Sequence, residues 1–448
     1  MKYFLAATAL LLTFLPAHAQ QTTPDTARMD QIVSSYYDHK QFMGSVLVMR
    51  GDDVLFDKSY GYANLEWDTP FAPDAKFRLG SLTKQFTAAS IMLLQEQSKL
   101  KTGDLISLYL PNTPATWSKI TIRNLLTHTS GITNFTDVPD YPTRIALLPT
   151  TPEKEYLSFR DKPLDFQPGE KFSYSNSNYI LLGMIVEKAS GMKYADFIQK
   201  NLFGPLHMDN TGMDSNARIL HHRVYGYTRG PNGLVNADYA DMTVPFAAGA
   251  LYSTTHDLVT WNEALYGGKL LKPESLTEMT TPYKRNYAYG LEVKTVDGYK
   301  HIAHGGGIEG FNTFLSYDSE DKLSVVVLSN LNGAAPGEIA TDLGDVVHGK
   351  KVVLASERKS IQVSPTVLAQ YVGTYTLSPA FNITIALAGD HLTAQPGKQP
   401  AFALAAESDA KFFSIEPDLQ IEFLKNANGA VDHLVLHQGG EAIPGKKQ

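Results

Sequence analysis

The alternation of apolar and polar residues predicts β-strands at both ends of the first part of the chain. Two alternating runs flank the turn Gly51-Asp52-Asp53, which indicates a β-hairpin. Three more runs follow about 240 residues later. The predicted strands are Gly44 to Met49, Val54 to Tyr60, Tyr299 to His304, Phe311 to Tyr317 and Leu323 to Asn330. Strands at both ends with helices between them indicate an α+β fold whose sheet joins the two ends of this region.

Apolar residues recur at helical spacing in the intervening chain and after the last of these strands. The predicted helices are one that ends at Tyr36 and Tyr37, one that starts near Ser81, Thr121 to Leu126, Ile180 to Ala189, Asp257 to Leu265, Leu276 to Met279, and one near Glu338 to Val347. The segment Ile180 to Ala189 is apolar nearly all round, which predicts a buried helix that Gly191 ends. Residues 133–169 and 202–243 are expected to be mostly irregular.

A different periodicity begins after residue 364. Short alternating runs recur there with turns between them. They are Gly373 to Leu377, Ile383 to Leu387, His391 to Ala394, Phe412 to Ile415, Leu419 to Leu424 and Val431 to His437. Evenly spaced short strands are typical of a small β-barrel or sandwich. We therefore predict a first domain at residues 20–350, a linker at 351–364 and a C-terminal β-barrel domain at 365–445.

Composition narrows the functional classes. The chain has 448 residues, of which 43% are apolar and 19% charged, as expected for a globular protein of two domains. Its formal charge of -7 argues against nucleic acid or an anionic membrane as a partner. The absence of cysteine excludes a thiol nucleophile, cysteine-ligated metal and disulfides.

Residues 1–19 have the pattern of a secretory signal peptide. Lys2 precedes an apolar run from Tyr3 to Leu15, and Ala17-His18-Ala19 matches a cleavage site. The apolar run is too short to span a bilayer, and no other stretch predicts an integral membrane segment. We expect cleavage after Ala19 and a periplasmic or secreted product.

Ser81 and Lys84 form a Ser-x-x-Lys pair at the start of a predicted helix. Residues three apart share a helical face, so the Lys84 amine can reach the Ser81 hydroxyl. Burial and the positive end of the helix dipole both disfavour an ammonium, which predicts a lowered pKa for Lys84. A serine hydroxyl needs such a base beside it to act as a nucleophile. The chain has six Ser-x-x-Lys pairs, so this pair needs support from other segments.

Two other segments supply candidate partners. Tyr174 and Asn176 lie two residues apart; the phenol is expected to be partly ionised beside a lysine, and the amide to hold the lysine amine. The segment His304-Gly305-Gly306-Gly307 ends a strand, and its glycines would admit a substrate and free a backbone N–H for an oxyanion. Each motif alone is unspecific, because Tyr62-x-Asn64 and His437-x-Gly439 have the same patterns.

The order, spacing and flanks of the motifs are much more specific together. The segments are Arg78-Leu79-Gly80-Ser81-Leu82-Thr83-Lys84-Gln85-Phe86, Leu125-Leu126-Thr127-His128-Thr129-Ser130-Gly131-Ile132, Pro168-Gly169-Glu170, Tyr174-Ser175-Asn176, Gly290-Leu291 and His304-Gly305-Gly306-Gly307. They resemble the serine β-lactamase and penicillin-binding-protein-like superfamily, most closely its class C-like branch, which includes D-aminopeptidases, D-alanyl-D-alanine carboxypeptidases, esterases and peptidase family S12. The resemblance covers about residues 32–347 and implies an antiparallel sheet flanked by helices, with a separate all-helical part. The tail resembles the lipocalin-like barrels fused behind some such domains.

The resemblance implies a role for each motif. Ser81 attacks a carbonyl, while Lys84 and Tyr174 share the general-base and general-acid work in an order that the resemblance leaves open. Asn176 orients the substrate and Lys84. The backbone N–H groups of Ser81 and Gly307 form an oxyanion hole, in which each donor is typically worth about 3 kcal/mol.

One departure from the superfamily bears on the substrate. Many penicillin-recognising members carry Lys-Thr-Gly on this strand to bind a carboxylate, where this chain has His304 and Gly305. A neutral imidazole and a missing hydroxyl offer less to a carboxylate, which predicts poor hydrolysis of penicillins. The expected activity is that of an exported serine hydrolase acting on amides or esters, with D-amino-acid peptides or esters favoured. The alternatives are a weak β-lactamase or D-alanyl-D-alanine carboxypeptidase, and a non-catalytic protein that binds cell-wall peptides.

The remaining motifs are given structural interpretations. The thirteen histidines include no compact ligand set, so neither a metal nor another cofactor is expected. His128 is interpreted as a helix-end residue, and the tyrosines from Tyr283 to Tyr289 as packing. The expected partner is a small-molecule or short-peptide substrate, and the barrel is hypothesised to screen the pocket, to contact a second copy or to stabilise the chain.

Overall fold

A computed structural model describes residues 25–448, except 142, 144, 231, 379–380, 416–418 and 439–440. The predicted signal peptide lies outside the described residues. The α-helices are α1 (Thr26–Asp38), α2 (Thr83–Glu96), α3 (Ile122–Leu126), α4 (Pro152–Arg160), α5 (Asn176–Ser190), α6 (Tyr194–Ile198), α7 (Phe246–Gly249), α8 (Thr255–Tyr266), α9 (Pro273–Met279), α10 (Ala335–Val347) and α11 (Pro365–Leu368). All predicted helices are found, and α5 begins four residues earlier than expected, at Asn176.

The strands of the first domain include all five predicted strands and several that the pattern did not indicate. They are β1 (Gly44–Arg50), β2 (Asp53–Tyr60), β3 (Tyr62–Asn64), β4 (Thr69–Pro70), β5 (Phe77–Arg78), β6 (Gly212–Met213), β7 (Tyr227–Gly230), β8 (Gly233–Asn236), β9 (Leu251–Ser253), β10 (Glu292–Val296), β11 (Tyr299–Ile308), β12 (Phe311–Asp318) and β13 (Leu323–Ser329). The largest sheet of this domain has six antiparallel strands in the order β10-β11-β12-β13-β1-β2. The predicted α+β sheet that joins the two ends of the domain is therefore confirmed.

Alternating side chains on the central strands build two different cores. On β13, Val325 and Val327 pack with α1 and α10, whereas Val326 and Leu328 belong to the larger cluster of the helical part. This is the two-residue period of a strand that is covered on both faces. The sheet consequently separates a thin layer of α1 and α10 from the thick helical part, and α2 and α5 pack within that part.

The C-terminal part is a closed barrel of eight antiparallel strands. The strands are β14 (Gly373–Ser378), β15 (Phe381–Ala388), β16 (His391–Pro396), β17 (Phe402–Ala406), β18 (Lys411–Ser414), β19 (Leu419–Lys425), β20 (Val431–Gln438) and β21 (Glu441–Lys447). Six correspond to predicted strands, and β17 and β21 were missed. Closure removes the exposed edges that an open sheet would present.

The barrel approaches the layer formed by α1 and α10. A cavity of about 270 Å³ there is lined by Tyr36 and Asp342 from the first domain and by Leu419 and His437 from the barrel. Arg28 of α1 donates from Nη2 to the Val352 carbonyl oxygen at 2.6 Å. None of the described helices is long and apolar enough to cross a bilayer.

Candidate active site

Ser81 lies in a 3₁₀ turn, Gly80–Leu82, which leads directly into α2. This places Lys84 in the first turn of α2, with its Nζ 2.9 Å from Ser81 Oγ. Gly80 has a φ of +55°, and a Cβ there would lie 2.8 Å from the Gly307 nitrogen. A side chain at position 80 is thus excluded by conformation and by space, and the serine is held close to β11.

Lys84 is fully buried, and its amine has three oxygen neighbours. Besides Ser81 Oγ, these are Asn176 Oδ1 at 2.8 Å and the Ala248 carbonyl oxygen at 2.9 Å. Burial lowers the pKa of Lys84 well below its usual value, which favours the neutral amine. The two carbonyl oxygens can only accept, so they take the two N–H bonds of that amine and leave its lone pair facing the Ser81 hydroxyl. In the other five Ser-x-x-Lys pairs the lysine is exposed or half-buried.

The phenol of Tyr174 completes the group around Ser81. It hydrogen-bonds with the Ser81 hydroxyl, and Lys84 Nζ lies 4.9 Å from the centre of its ring. Burial raises the pKa of Tyr174, and the hydrogen bond with Ser81 only partly opposes this. The expectation of a partly ionised phenol is therefore wrong, because a neutral amine does not stabilise a phenolate. At neutral pH Tyr174 is a proton donor.

Asn176 is oriented by a loop that the sequence did not connect with it. Its backbone N–H donates to Asn134 Oδ1 at 2.9 Å, and its side-chain Nδ2 donates to Thr136 Oγ1 at 3.2 Å. With the amide nitrogen held by Thr136, the amide oxygen points to Lys84. The predicted contact between the Asn176 amide and the lysine amine is present.

His304 does not reach the cleft beside Ser81. Its Nε2 lies 3.0 Å from the Tyr287 hydroxyl and its Nδ1 2.5 Å from the Gly305 carbonyl oxygen. Tyr287 in turn lies 3.2 Å from His128 Nε2, and the Ser175 N–H donates to His128 Nδ1 at 3.1 Å. Because His128 Nδ1 accepts, all hydrogen bonds of this chain are donated in the same direction. His128 donates to Tyr287, Tyr287 donates to His304, and His304 donates to the Gly305 carbonyl oxygen.

Burial favours the neutral form of both imidazoles in this chain of hydrogen bonds. Burial lowers the pKa of His304 to about 4 and that of His128 well below its usual value. Sequence reasoning treated His128 as a helix-end residue and Tyr287 as packing, and it missed that they fix His304. Both ring nitrogens of His304 bond within the protein, and His304 is not among the described lining residues of the cleft; its assignment to the substrate site stays a prediction.

The three glycines of β11 have different surroundings. A Cβ at Gly306 would lie 2.0 Å from the Leu79 carbonyl oxygen, so Gly306 serves the packing of the serine turn rather than the cleft. A Cβ at Gly305 would meet nothing closer than 3.7 Å. Gly307 lines the cleft together with Ser81. Beyond Ala303 the paired part of β10 ends, which leaves this edge of β11 unpaired by a described strand.

The cleft beside Ser81 has a volume of about 220 Å³. Its described lining residues are Gly80, Ser81, Phe135, Thr136, Tyr141, Asn176, Pro245, Ala248, Gly249, Gly307, Ile308 and Glu309. This volume is below the roughly 300 to 1,000 Å³ that is typical of small-molecule pockets, which suits a single small acyl group. None of the described barrel residues belongs to this lining, so the structure gives no support to a barrel that screens the pocket.

One compact set of possible metal ligands lies elsewhere. Asp318, Asp321 and His348 place ligand atoms within 4.8 Å of one another, at the end of β12 remote from the glycines. Arg50 Nε and His348 Nε2 are each 3.3 Å from Asp321 Oδ2, and His301 Nδ1 is 2.6 Å from Asp318 Oδ1. We interpret this set as an ion-pair network, since its carboxylates already face cationic and imidazole partners. The sequence patterns did not predict this set.

The fold and the site define a serine hydrolase of the β-lactamase and penicillin-binding-protein class, with serine and lysine one helical turn apart. The family described as Beta-lactamase matches residues 29–348, and the chain belongs to that family. A second family, described as a domain of unknown function (DUF3471), matches residues 357–447.

Relatives of known name agree with this assignment. Penicillin-binding protein 4* of Bacillus subtilis (strain 168) is 27% identical over 436 residues, which cover 90% of this chain and 94% of that protein. The octameric penicillin-binding protein homologue from Pyrococcus abyssi has a TM-score of 0.68 at 25% identity, covering 94% of this chain and 100% of that chain. A D-stereospecific amidohydrolase from Streptomyces sp. has a TM-score of 0.63 at 26% identity, covering 71% of this chain and 98% of that chain.

Proposed function

We propose that this protein is an exported serine hydrolase that forms an acyl-enzyme on Ser81 and hydrolyses amide or ester bonds, with D-amino-acid peptides, amides and esters preferred. The observation that carries the proposal is the arrangement around Lys84. Two carbonyl oxygens hold its amine so that the lone pair faces the Ser81 hydroxyl at 2.9 Å. That is the position a general base needs in order to activate a serine.

The residues suggest the following order of steps. Lys84 takes the Ser81 proton while Ser81 Oγ bonds to the substrate carbonyl carbon. The backbone N–H groups of Ser81 and Gly307 receive the oxyanion, whose stabilisation needs donors that are fixed beforehand. Tyr174, which is neutral, donates its proton to the leaving amine or alcohol and recovers one from Lys84. Water then attacks the acyl-enzyme by the same route and releases Ser81.

Export is proposed from the signal-like pattern of residues 1–19. The preference for D-aminoacyl substrates draws support from the D-stereospecific amidohydrolase named above, which is 26% identical. His304 and Gly305 supply no cation to a substrate carboxylate, because His304 is neutral and buried. Penicillins, which carry such a carboxylate, are consequently expected to be poor substrates.

A substrate panel tests this proposal. We expect turnover of p-nitrophenyl esters and of D-aminoacyl p-nitroanilides, with D exceeding the L enantiomer by at least about tenfold in kcat/KM. Nitrocefin and benzylpenicillin should be turned over far more slowly than by a dedicated β-lactamase assayed in parallel. A rate of penicillin turnover equal to that of the dedicated β-lactamase would contradict the proposed substrate class. The absence of any turnover would favour a non-catalytic binding protein.

A further inference from the structure

One acidic side chain lies among the described residues that line the cleft beside Ser81. It belongs to Glu309, and none of the other described lining residues is Asp, Glu, Lys, Arg or His. Glu309 is half-buried and has no hydrogen bond or ion pair with another described residue. An unpaired carboxylate beside a nucleophile is costly to keep partly out of water unless a ligand compensates it.

Glu309 lies close to Gly307 along the chain. It is the first residue after β11, in the turn that leads to β12, and two residues span at most roughly 7 Å. Both residues line the same cleft as Ser81. A group attached to the carbon next to the scissile carbonyl therefore lies within reach of a glutamate side chain.

Among the described residues, the ionisable groups near the nucleophile do not oppose the charge of Glu309. Burial lowers the pKa of Lys84 and that of His304, so neither adds a positive charge beside the nucleophile. The phenol of Tyr141 lines the cleft too, and burial and the charge of Glu309 both raise its pKa. The cleft accordingly has a negative field, which attracts a cation and repels a carboxylate.

Apolar and aromatic side chains form another part of the cleft lining. Phe135 and Tyr141 meet edge to face with ring centres 5.7 Å apart, and Ile308 adjoins Glu309 in sequence. Such a surface suits an uncharged side chain. A carboxylate beside an apolar wall matches the two substituents on the α-carbon of an amino acid, which are a protonated amine and a side chain.

We propose that Glu309 binds the protonated amino group of an α-aminoacyl substrate, so that the enzyme acts at the free N-terminal residue of short peptides and on aminoacyl amides and esters. This inference rests on the proposed acyl-enzyme function. Glu309 is then a specificity-determining residue, and it takes no part in the proton transfers at Ser81. Substrates with a blocked or absent amine gain nothing from it.

Paired substrates and variants of Glu309 test this role. The substrates are D-phenylalanine p-nitroanilide, its N-acetyl form and p-nitrophenyl butyrate, and the variants are Glu309→Gln and Glu309→Lys. We expect Glu309→Gln to lower kcat/KM for D-phenylalanine p-nitroanilide, the substrate with the free amine, by about tenfold, mainly through KM. The same variant should change kcat/KM for the other two substrates by less than twofold. Glu309→Lys should lower kcat/KM for the free amine further, and it should raise kcat/KM several-fold for an additional substrate, N-succinyl-D-phenylalanine p-nitroanilide. Glu274→Gln, at an exposed position, is the control for net charge and should change nothing.

The outcomes separate this inference from the function on which it rests. Equal losses on all three substrates would mean that Glu309 has a structural role, and no loss on the free amine would mean that it does not contact the amine. Either result overturns the inference and leaves the acyl-enzyme function intact. A wild-type enzyme that is inactive even on the butyrate ester would contradict the proposed function itself.

Discussion

Replacing Lys84 by methionine is expected to lower kcat/KM for every substrate by about 1,000-fold. General-base catalysis typically contributes a factor of about 100 to 10,000, and here the amine is the group that faces the serine proton. The amine must be neutral to act, so activity should rise with pH through the pKa of Lys84 and be lost as pH falls below it. Burial lowers that pKa, which places the rise below the usual range of a lysine.

Two comparisons isolate the role of Lys84. Lys193→Met alters an exposed lysine from another Ser-x-x-Lys pair and should leave activity unchanged. Tyr174→Phe should cost much more on p-nitroanilides and unactivated amides than on p-nitrophenyl esters, because a p-nitrophenolate leaves without a proton. If Lys84→Met keeps activity within tenfold of wild type while Tyr174→Phe removes it on all substrates, the phenol is the base and the assignment is wrong.

Replacing Gly306 by alanine is expected to remove most activity and to destabilise the protein by about 3 kcal/mol or more. The added methyl would lie 2.0 Å from the Leu79 carbonyl oxygen and 2.3 Å from Thr313 Oγ1. Thr313 also donates to that carbonyl at 2.8 Å, so the turn that carries Ser81 is tied to the sheet at this point. Relief of the clash has to move the serine turn away from β11, which separates Ser81 from Gly307.

Gly305→Ala provides a matched control on the same strand. Its methyl would find Phe314 and Thr313 at 3.7 Å, an ordinary contact. We expect Gly305→Ala to keep the wild-type melting temperature within a few degrees and to keep most activity on esters. Indistinguishable melting temperatures and rates for the two alanine variants would contradict the packing account.

The sequence predicted which side chains lie together around Ser81, because the signals within each motif are local. The spacing of Ser81 and Lys84 is set by one helical turn, and Tyr174 and Asn176 lie two residues apart at the start of α5. The structure brings all four together. The catalytic roles assigned to these four residues stay predictions.

Features that depend on distant chain segments were missed. The Ala248 carbonyl oxygen carries no residue-type signal at all, and the chain from His128 through Tyr287 to His304 joins three remote segments. Glu309 was overlooked because a single glutamate after a strand has no motif. These contacts depend on tertiary packing, and the spacing of residues along the chain does not reveal them.

There are also physical reasons why the sequence pattern did not predict β10 and β21. In β10 only Val293 is buried, since the strand lies at the sheet edge, and a five-residue run with one buried side chain gives little alternation. In β21, Pro444 and Gly445 argue against a strand. The structure tolerates them because β21 pairs with β14 only at Lys446 and Lys447.

Covalent labelling of Ser81 tests the central claim most directly. Wild-type protein is treated with a fluorophosphonate, its intact mass is measured, and the modified peptide is sequenced by mass spectrometry. The account predicts one adduct per chain, located on Ser81, with full labelling of Ser190→Ala and none of Ser81→Ala. Equal labelling of Ser81→Ala, or an adduct on a different residue of the wild type, would contradict it.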